Sequence, residues 1–218
     1  MNLVQRGYCR DNSILATLED YKTLNIQQII FLHFTLTEFK TYEVAKRKAQ
    51  ERMLKLHRKG MVERWASNEG YVYGEKTAHW QHRILLNWVR VYIELQKACW
   101  EKTHCFKYEP DYSFLRPDGF CAIKNTVTER FRFMFIEGEN HSDRNDFNKV
   151  RLYNKLFEQI NRGYKRWWVT LTDKFPPVLI VCQTENRKEK ILRKIQEDNA
   201  NGLRFSVKLL EELRRCLK

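Results

Sequence analysis

No stretch of this 218-residue chain approaches the roughly 18 uninterrupted apolar residues of a membrane-spanning helix, and Met1 to Arg10 lacks the apolar core of a secretory signal. Both absences lead to the expectation of a soluble, cytoplasmic protein with no membrane partner. Cysteine is sparse: the six thiols at 9, 99, 105, 121, 182 and 216 include no Cys-x-x-Cys pair, so no single turn presents two thiolates to zinc. They are expected to be reduced and either buried or idle. Acidic residues are also in short supply, 27 Asp+Glu against 40 Lys+Arg, a net charge of +13 that suits a polyanionic partner. A wholly disordered chain is excluded by a content of 43% hydrophobic and 13% aromatic residues, which is enough to bury a core. The length suits one large domain or two small ones.

The first third reads as helices followed by a hairpin. Asp11, Asn12 and Ser13 offer an N-cap before Ile14, Leu15 and Leu18, and Asn25 precedes a short apolar helix over 26–34. Three threonines between 35 and 41 interrupt the pattern. A helix from Tyr42 to Lys59 then carries Ala45, Ala49, Met53 and Leu56 as a buried stripe, and Gly60 ends it in the manner of a left-handed cap. Apolar residues at 61, 62, 65 and 71–73 flank Ser67-Asn68-Glu69-Gly70 as the arms of a hairpin.

Helix, helix, turn, helix, hairpin is the order of a winged helix-turn-helix, expected over residues 1–76. In such a module the third helix enters the major groove of double-stranded DNA, its first turns reaching base edges and its cations taking phosphates. Between Thr41 and Arg64 there are eight basic residues (46, 47, 48, 52, 55, 58, 59, 64) and three acidic ones (43, 51, 63), a local net of +5. Tyr42, Glu43, Lys46, Arg47 and Gln50 share a face. Arg47 and Gln50 are the expected base contacts, because Arg matches guanine and Gln matches adenine bidentately. Lys48, Arg52, Lys55 and Arg64 complete the expected DNA-binding set.

Residues 77–101 read as a connecting helix from His79 to Trp100, with Ile84, Trp88, Val91 and Leu95 beside Leu85, Val89 and Tyr92 in a wide apolar arc. An arc that broad can pack on its own chain or on a second copy, and a winged helix that reads a palindrome works as a dimer, so a homodimer is expected.

From residue 102 to 218 the pattern becomes an α/β (α+β) domain with a mixed sheet. Strands are expected at 106–108, 112–115, 120–123, 130–137, 167–171, 178–182 and 203–207, with helices at 146–160 and 185–198 and a closing helix. Two carboxylates fall at strand ends: Asp118 in Pro117-Asp118-Gly119, and Glu137 in Glu137-Gly138-Glu139. Lys149 and Tyr153 follow on a helix. Strand-borne carboxylates that meet at one sheet edge can hold a divalent metal while a lysine orients the attacking water, which is the logic of restriction-endonuclease-like nucleases. Their pattern is an Asp, then an acidic residue, one spacer and a Lys. Here Glu139 stands in the lysine's place and Lys149 is the substitute. The candidate catalytic set is therefore Asp118, Glu137, Glu139 and Lys149, with Asp118 and Glu137 as metal ligands. No resident cofactor is expected otherwise, and Mg²⁺ or Mn²⁺ enters only if the domain is a nuclease. Arg162, Lys165 and Arg166 around Tyr164, Trp167 and Trp168 form a further mix that can grip phosphates and stack bases, or else lead into a buried strand.

Taken in order, Ile14-Leu15 through Gln28 and His33-Phe34, the run 82–87 (HRILLN), Leu115-Arg116-Pro117-Asp118-Gly119, Phe135-Ile136-Glu137 and the Lys149/Tyr153 pair resemble the replication-relaxation family of plasmid and mobile-element proteins over most of the chain. The resemblance implies an N-terminal winged helix, a C-terminal domain related to the restriction-endonuclease fold, and a role in replication, mobilisation or regulation of such elements. Where the family pattern carries Glu-x-Asp, this chain has Glu137-Gly138-Glu139. Three readings follow. The first is a dimeric, sequence-specific DNA-binding regulator or replication accessory factor. The second is a metal-dependent endonuclease directed by the winged helix. The third is an interaction module that recruits a relaxase or replication protein.

Overall fold

In the computed structural model, which describes residues 3–35, 37–140 and 146–217, Asn25 closes a short strand and caps the helix after it. Its side chain accepts from Gln28 N at 2.9 Å while the Gln28 side chain accepts from Asn25 N at 3.0 Å, a reciprocal box that satisfies two donors at the start of the helix. The elements up to that point are α1 (Leu3–Tyr21), β1 (Thr23–Asn25) and α2 (Ile26–His33); α3 (Tyr42–Arg58), β2 (Arg64–Ser67), β3 (Gly70–Gly74) and α4 (Trp80–Gln96) follow. The expected cap at Asp11 to Ser13 is not one, since α1 runs through it. Asp11 is instead nearly buried and accepts from both Arg52 Nε and Arg52 Nη2, the latter at 2.6 Å. A part-buried ion pair thus takes the carboxylate that a cap would have used.

Ala45, Ala49, Met53 and Leu56 are all buried, as the stripe predicts, and so are Ile14, Leu18, Ile29 and Ile30 of α1 and α2. Strand β1, too short to show a period in the sequence, pairs antiparallel with β3, which pairs with β2, giving a three-stranded sheet in the order β1-β3-β2. Gly74 makes that closeness possible. A Cβ there would lie 2.1 Å from the Lys22 carbonyl oxygen, and its φ is +108°, so only glycine fits without displacing backbone. The buried side chain of Asn87 on α4 donates to the Tyr21 carbonyl at 3.2 Å and to the Thr23 carbonyl, and Gln28 donates to the Ile84 carbonyl at 2.9 Å. These bonds fix α4 against α1, β1 and α2.

The chain divides into Met1–Val91 and Tyr92–Lys218, so the division falls inside α4 rather than on either side of a separate connecting helix. Of the arc expected to offer a dimer face, Ile84, Leu85, Trp88, Val89 and Val91 are buried and Leu95 is exposed. No helix among the described residues is long and apolar enough to cross a membrane.

The second unit is built on a five-stranded mixed sheet, β4 (Glu101–Tyr108), β5 (Gly119–Asn125), β6 (Phe131–Glu139), β7 (Val178–Cys182) and β8 (Phe205–Leu209), in that spatial order. β4, β5 and β6 are antiparallel neighbours. β6, β7 and β8 are parallel and are joined through α5 (Lys149–Asn161) and α6 (Glu185–Asp198), as parallel pairs require a crossover. α7 (Leu210–Arg215) closes the unit. Phe120, Phe133, Phe135, Tyr153, Trp168 and Ile180 form the centre of its core.

Two expected strands are absent. Residues 112–115 form a loop because the Asp111 side chain accepts from Ser113 N at 2.7 Å and Ser113 takes φ +68°, a local turn that competes with strand pairing. Trp167–Leu171 is a short 3₁₀ helix. It buries Trp168, whose Nε1 donates to the Tyr112 hydroxyl at 3.1 Å, so Trp168 is core and not a stacking platform. Arg166 lies over the Tyr112 and Tyr164 rings and donates to the Asp111 carbonyl.

Candidate functional site

Thr41 starts α3 by accepting from Val44 N at 3.3 Å, and Lys55, His57 and Arg58 fill the last turn, where cations favour the negative end of the helix dipole. With Ala45, Ala49 and Met53 turned to the core, the opposite face displays Arg47 and Gln50, and the Arg47 side chain is 68% exposed. Lys46 lies 3.9 Å from Glu43, Arg47 3.8 Å from Glu51 and Lys48 2.9 Å from Glu51. Exposed helix pairs of this kind are worth about 0.3–0.5 kcal/mol, little enough to be exchanged for a better anion.

The rest of the expected DNA-binding set is less uniform. Tyr42 is half-buried, its ring 6.3 Å from that of Phe31, and burial followed by the neighbouring Glu43 pushes its hydroxyl pKa up. It braces the helix start. Arg52 points inward to Asp11 and leaves the exposed set. Lys55 is exposed. Arg64 lies over the Tyr71 ring, 4.3 Å from its centroid, on the β2–β3 hairpin.

In the second unit the structure brings Asp118, Glu137, Lys149 and Tyr153 together. The β5–β6 register pairs Gly119 with Ile136, which sets Asp118 across from Glu137. The Asp118 Oδ2 accepts from Gly138 N at 2.7 Å. Lys149, the first residue of α5, donates to Asp118 Oδ1 at 3.0 Å and to Glu137 Oε2. One turn on, the Tyr153 hydroxyl donates to Glu137 Oε1 at 2.5 Å, so one helix face grips both strands.

Glu137 is 0% exposed. Burial first, and then the charge of Asp118, push its carboxyl up to about 8 against the opposing pull of Lys149 and Tyr153. Lys149 is held above its usual range: burial works against its charge, but Glu137 and Asp118 together outweigh it. Desolvation, then Glu137, push the Tyr153 hydroxyl well above its ordinary value. One ammonium balances one carboxylate, and the unbalanced second charge is the one that a proton removes.

Glu139 does not join this group. It receives two hydrogen bonds from Arg187, Nε at 3.0 Å and Nη2 at 2.7 Å, both to Oε2, and both residues are buried. Alternation along β6 puts Glu137 and Glu139 on one face, but α5 supplies the partner of the first and α6 the partner of the second. Nothing in the spacing signalled Arg187, which lies 48 residues away from Glu139.

A divalent cation takes six or more oxygen ligands. Here the Lys149 ammonium lies between the two carboxyls that would supply them, and both Glu137 oxygens already accept hydrogen bonds. Among the described residues no group of three or more His, Cys, Asp or Glu could hold a metal ion. The residues present do not fit Mg²⁺ or Mn²⁺ while Lys149 keeps this position. Comparison of the chain with protein-family models, with curated proteins and with solved structures gave no match.

Proposed function

We propose that the chain is a sequence-specific double-stranded-DNA-binding protein of a plasmid, phage or other mobile element, acting in the cytoplasm as a homodimer in transcriptional regulation or as a replication or mobilisation accessory factor. In this reading Met1–Val91 is a winged helix-turn-helix, with α3 as recognition helix and the β2–β3 hairpin as wing. The Tyr92–Lys218 unit is a restriction-endonuclease-like domain without a working metal centre, and the likeness to the replication-relaxation family belongs to the same proposal. The observation that carries the reading is α3 itself: a capped helix with a buried apolar stripe, a cationic outer face and a hairpin directly after it. Strand β1, between the first two helices and paired to the hairpin, adds to that support.

A footprint across the DNA flanking the gene tests it. Protection of one palindromic site, lost on Lys46→Ala with Arg47→Ala, is the expected result. Unchanged binding by that double variant removes α3 as the reading element.

The meeting of Asp118, Glu137 and Lys149 favours one second reading, a metal-dependent endonuclease directed by the winged helix. It requires Lys149 to withdraw when a cation binds. DNA cleavage in Mg²⁺ or Mn²⁺ that Asp118→Ala abolishes would establish it.

A further inference from the structure

A second cationic surface lies beside α3 on the side of α1. Opposite the buried row of Ala45, Ala49 and Met53, the outermost row of α3 is Arg47, Glu51, Leu54 and Arg58; Lys46 and Gln50 flank it on one side, Lys48 and Lys55 on the other, as 3.6 residues per turn dictates. The Lys48 and Lys55 flank forms one wall of a groove of about 830 Å³, and the first turns of α1 form the other. Phe34, Phe39 and Leu54 give the groove an apolar lining, and Arg6, Arg10, Lys48, Arg52, Lys55 and Arg58 supply its cations.

Those six cations are not equivalent. Arg10 pairs with Glu38, Lys48 with Glu51 and Arg52 with Asp11. Arg10 also lies over the Phe34 and Phe39 rings, 5.0 and 5.3 Å from their centroids. Gly7 leaves room for Arg52 to reach Asp11, since a Cβ there would stand 3.1 Å from its guanidinium. These three cations build the wall. Arg6, Lys55 and Arg58 are exposed and have no ion-pair partner among the described residues. Two helices therefore hold three uncompensated cations around one concave surface next to the face of α3 assigned to the bases.

The major groove is about 12 Å wide, and a helix with its side chains fills about 10–12 Å of it. A helix seated there has its flanks against the phosphates of both strands. We infer that the groove between α1 and α3 seats the phosphodiester backbone of one DNA strand, with Arg6, Lys55 and Arg58 as its phosphate contacts and α1 as a positioning element for α3. This rests on the DNA-binding reading above and adds a non-sequence-reading contact to it.

The test compares wild type with the Arg6→Ala/Lys55→Ala/Arg58→Ala variant on a random-sequence duplex between about 50 and 200 mM salt. All three side chains are exposed, so matching thermal melts should show that the variant folds. Each lost phosphate contact should make the slope of log K against log salt shallower by about 0.9, about 2.7 for the three, which is about 100-fold in affinity near 0.15 M salt. Equal slopes in the two proteins overturn the groove assignment and leave the DNA-binding reading standing. If, with equal slopes, inorganic tripolyphosphate raises the melting temperature of wild type but not of the variant, the groove takes a free polyphosphate and the backbone assignment falls. Failure of wild type to bind any duplex at about 50 mM salt removes both proposals together.

Discussion

The Tyr153 hydroxyl donates to Oε1 of Glu137 at 2.5 Å while Lys149, one turn earlier on the same helix, holds Oε2. A carboxyl with both oxygens engaged and no exposure has its protonation set first by burial and then by the charges beside it. This cluster joins β5, β6 and α5, so its charge state bears on the stability of the whole second unit.

Stability should carry a pH signature from Glu137. Its carboxyl is pushed from an ordinary 4.5 up to about 8, so the folded chain binds that proton more tightly than the unfolded chain does. The contribution is fully present below pH 4.5 and is lost as pH rises to about 8. Glu137→Gln removes the titration, so the variant should gain stability relative to wild type as pH increases through that window. Urea unfolding across the range reads the difference. A difference independent of pH would mean that Glu137 titrates like an exposed carboxylate.

Removing Lys149 should be costly. Lys149→Met leaves Asp118 and Glu137 facing each other without a cation, and breaking a buried pair in this way costs about 3–5 kcal/mol. Above about pH 8, where Glu137 carries the second charge, the loss should be much smaller in a Glu137→Gln background, which lacks it. A double-mutant cycle measures this coupling. Lys149→Ala also vacates the place between the carboxyls, so Mn²⁺ should raise the melting temperature of Lys149→Ala more than that of wild type.

Gly74→Ala should break the pairing of β1 with β3. The added methyl meets the Lys22 carbonyl at 2.1 Å, and the φ of +108° is itself unfavourable for any L side chain. Strain of this kind costs about 1–3 kcal/mol before the clash is counted. Loss of amide protection at residues 23–25 and 72–74 is the expected outcome in hydrogen exchange. Retained protection would show that the backbone can shift to admit the methyl.

How much of this was legible in the sequence depends on whether the signal was periodic or contingent. The α3 stripe, the Gly60 stop, the Asn25 cap and the β7–α6 pair follow from spacing and local chemistry, and each stands where it was expected. Asp118, Glu137 and Lys149 were legible as a group because the carboxylates lie at strand ends and the lysine opens the next helix. Three features were not legible. Asp11 has the residue type of a cap but is taken by Arg52, 41 positions on. Glu139 continues an acidic motif, but its fate depends on Arg187. The run 167–171 is apolar enough for a strand, yet the burial of Trp168 against Tyr112 sets a 3₁₀ turn. In each case a partner distant in sequence decides, and no local window contains it.

If α3 is the recognition helix proposed above, its exposed residues should divide base contacts from phosphate contacts. Arg47 and Gln50 project from its exposed side, and their side chains match guanine and adenine edges, whereas Lys46 offers only a point charge. Gln50→Ala should therefore relax discrimination at one base position by about 1–3 kcal/mol and leave binding to random-sequence DNA nearly unchanged. Lys46→Ala should weaken specific and non-specific DNA alike and make the salt slope shallower by about 0.9. Among the described residues Arg47 is held by a 3.8 Å contact with Glu51, so Glu51→Gln should free it and tighten binding without altering preference. Sequences selected from a random pool by each variant, together with salt titrations, separate these effects. If Gln50→Ala, like Lys46→Ala, changes specific and random-sequence binding by the same factor, α3 holds only the backbone, and the base contacts lie on another element.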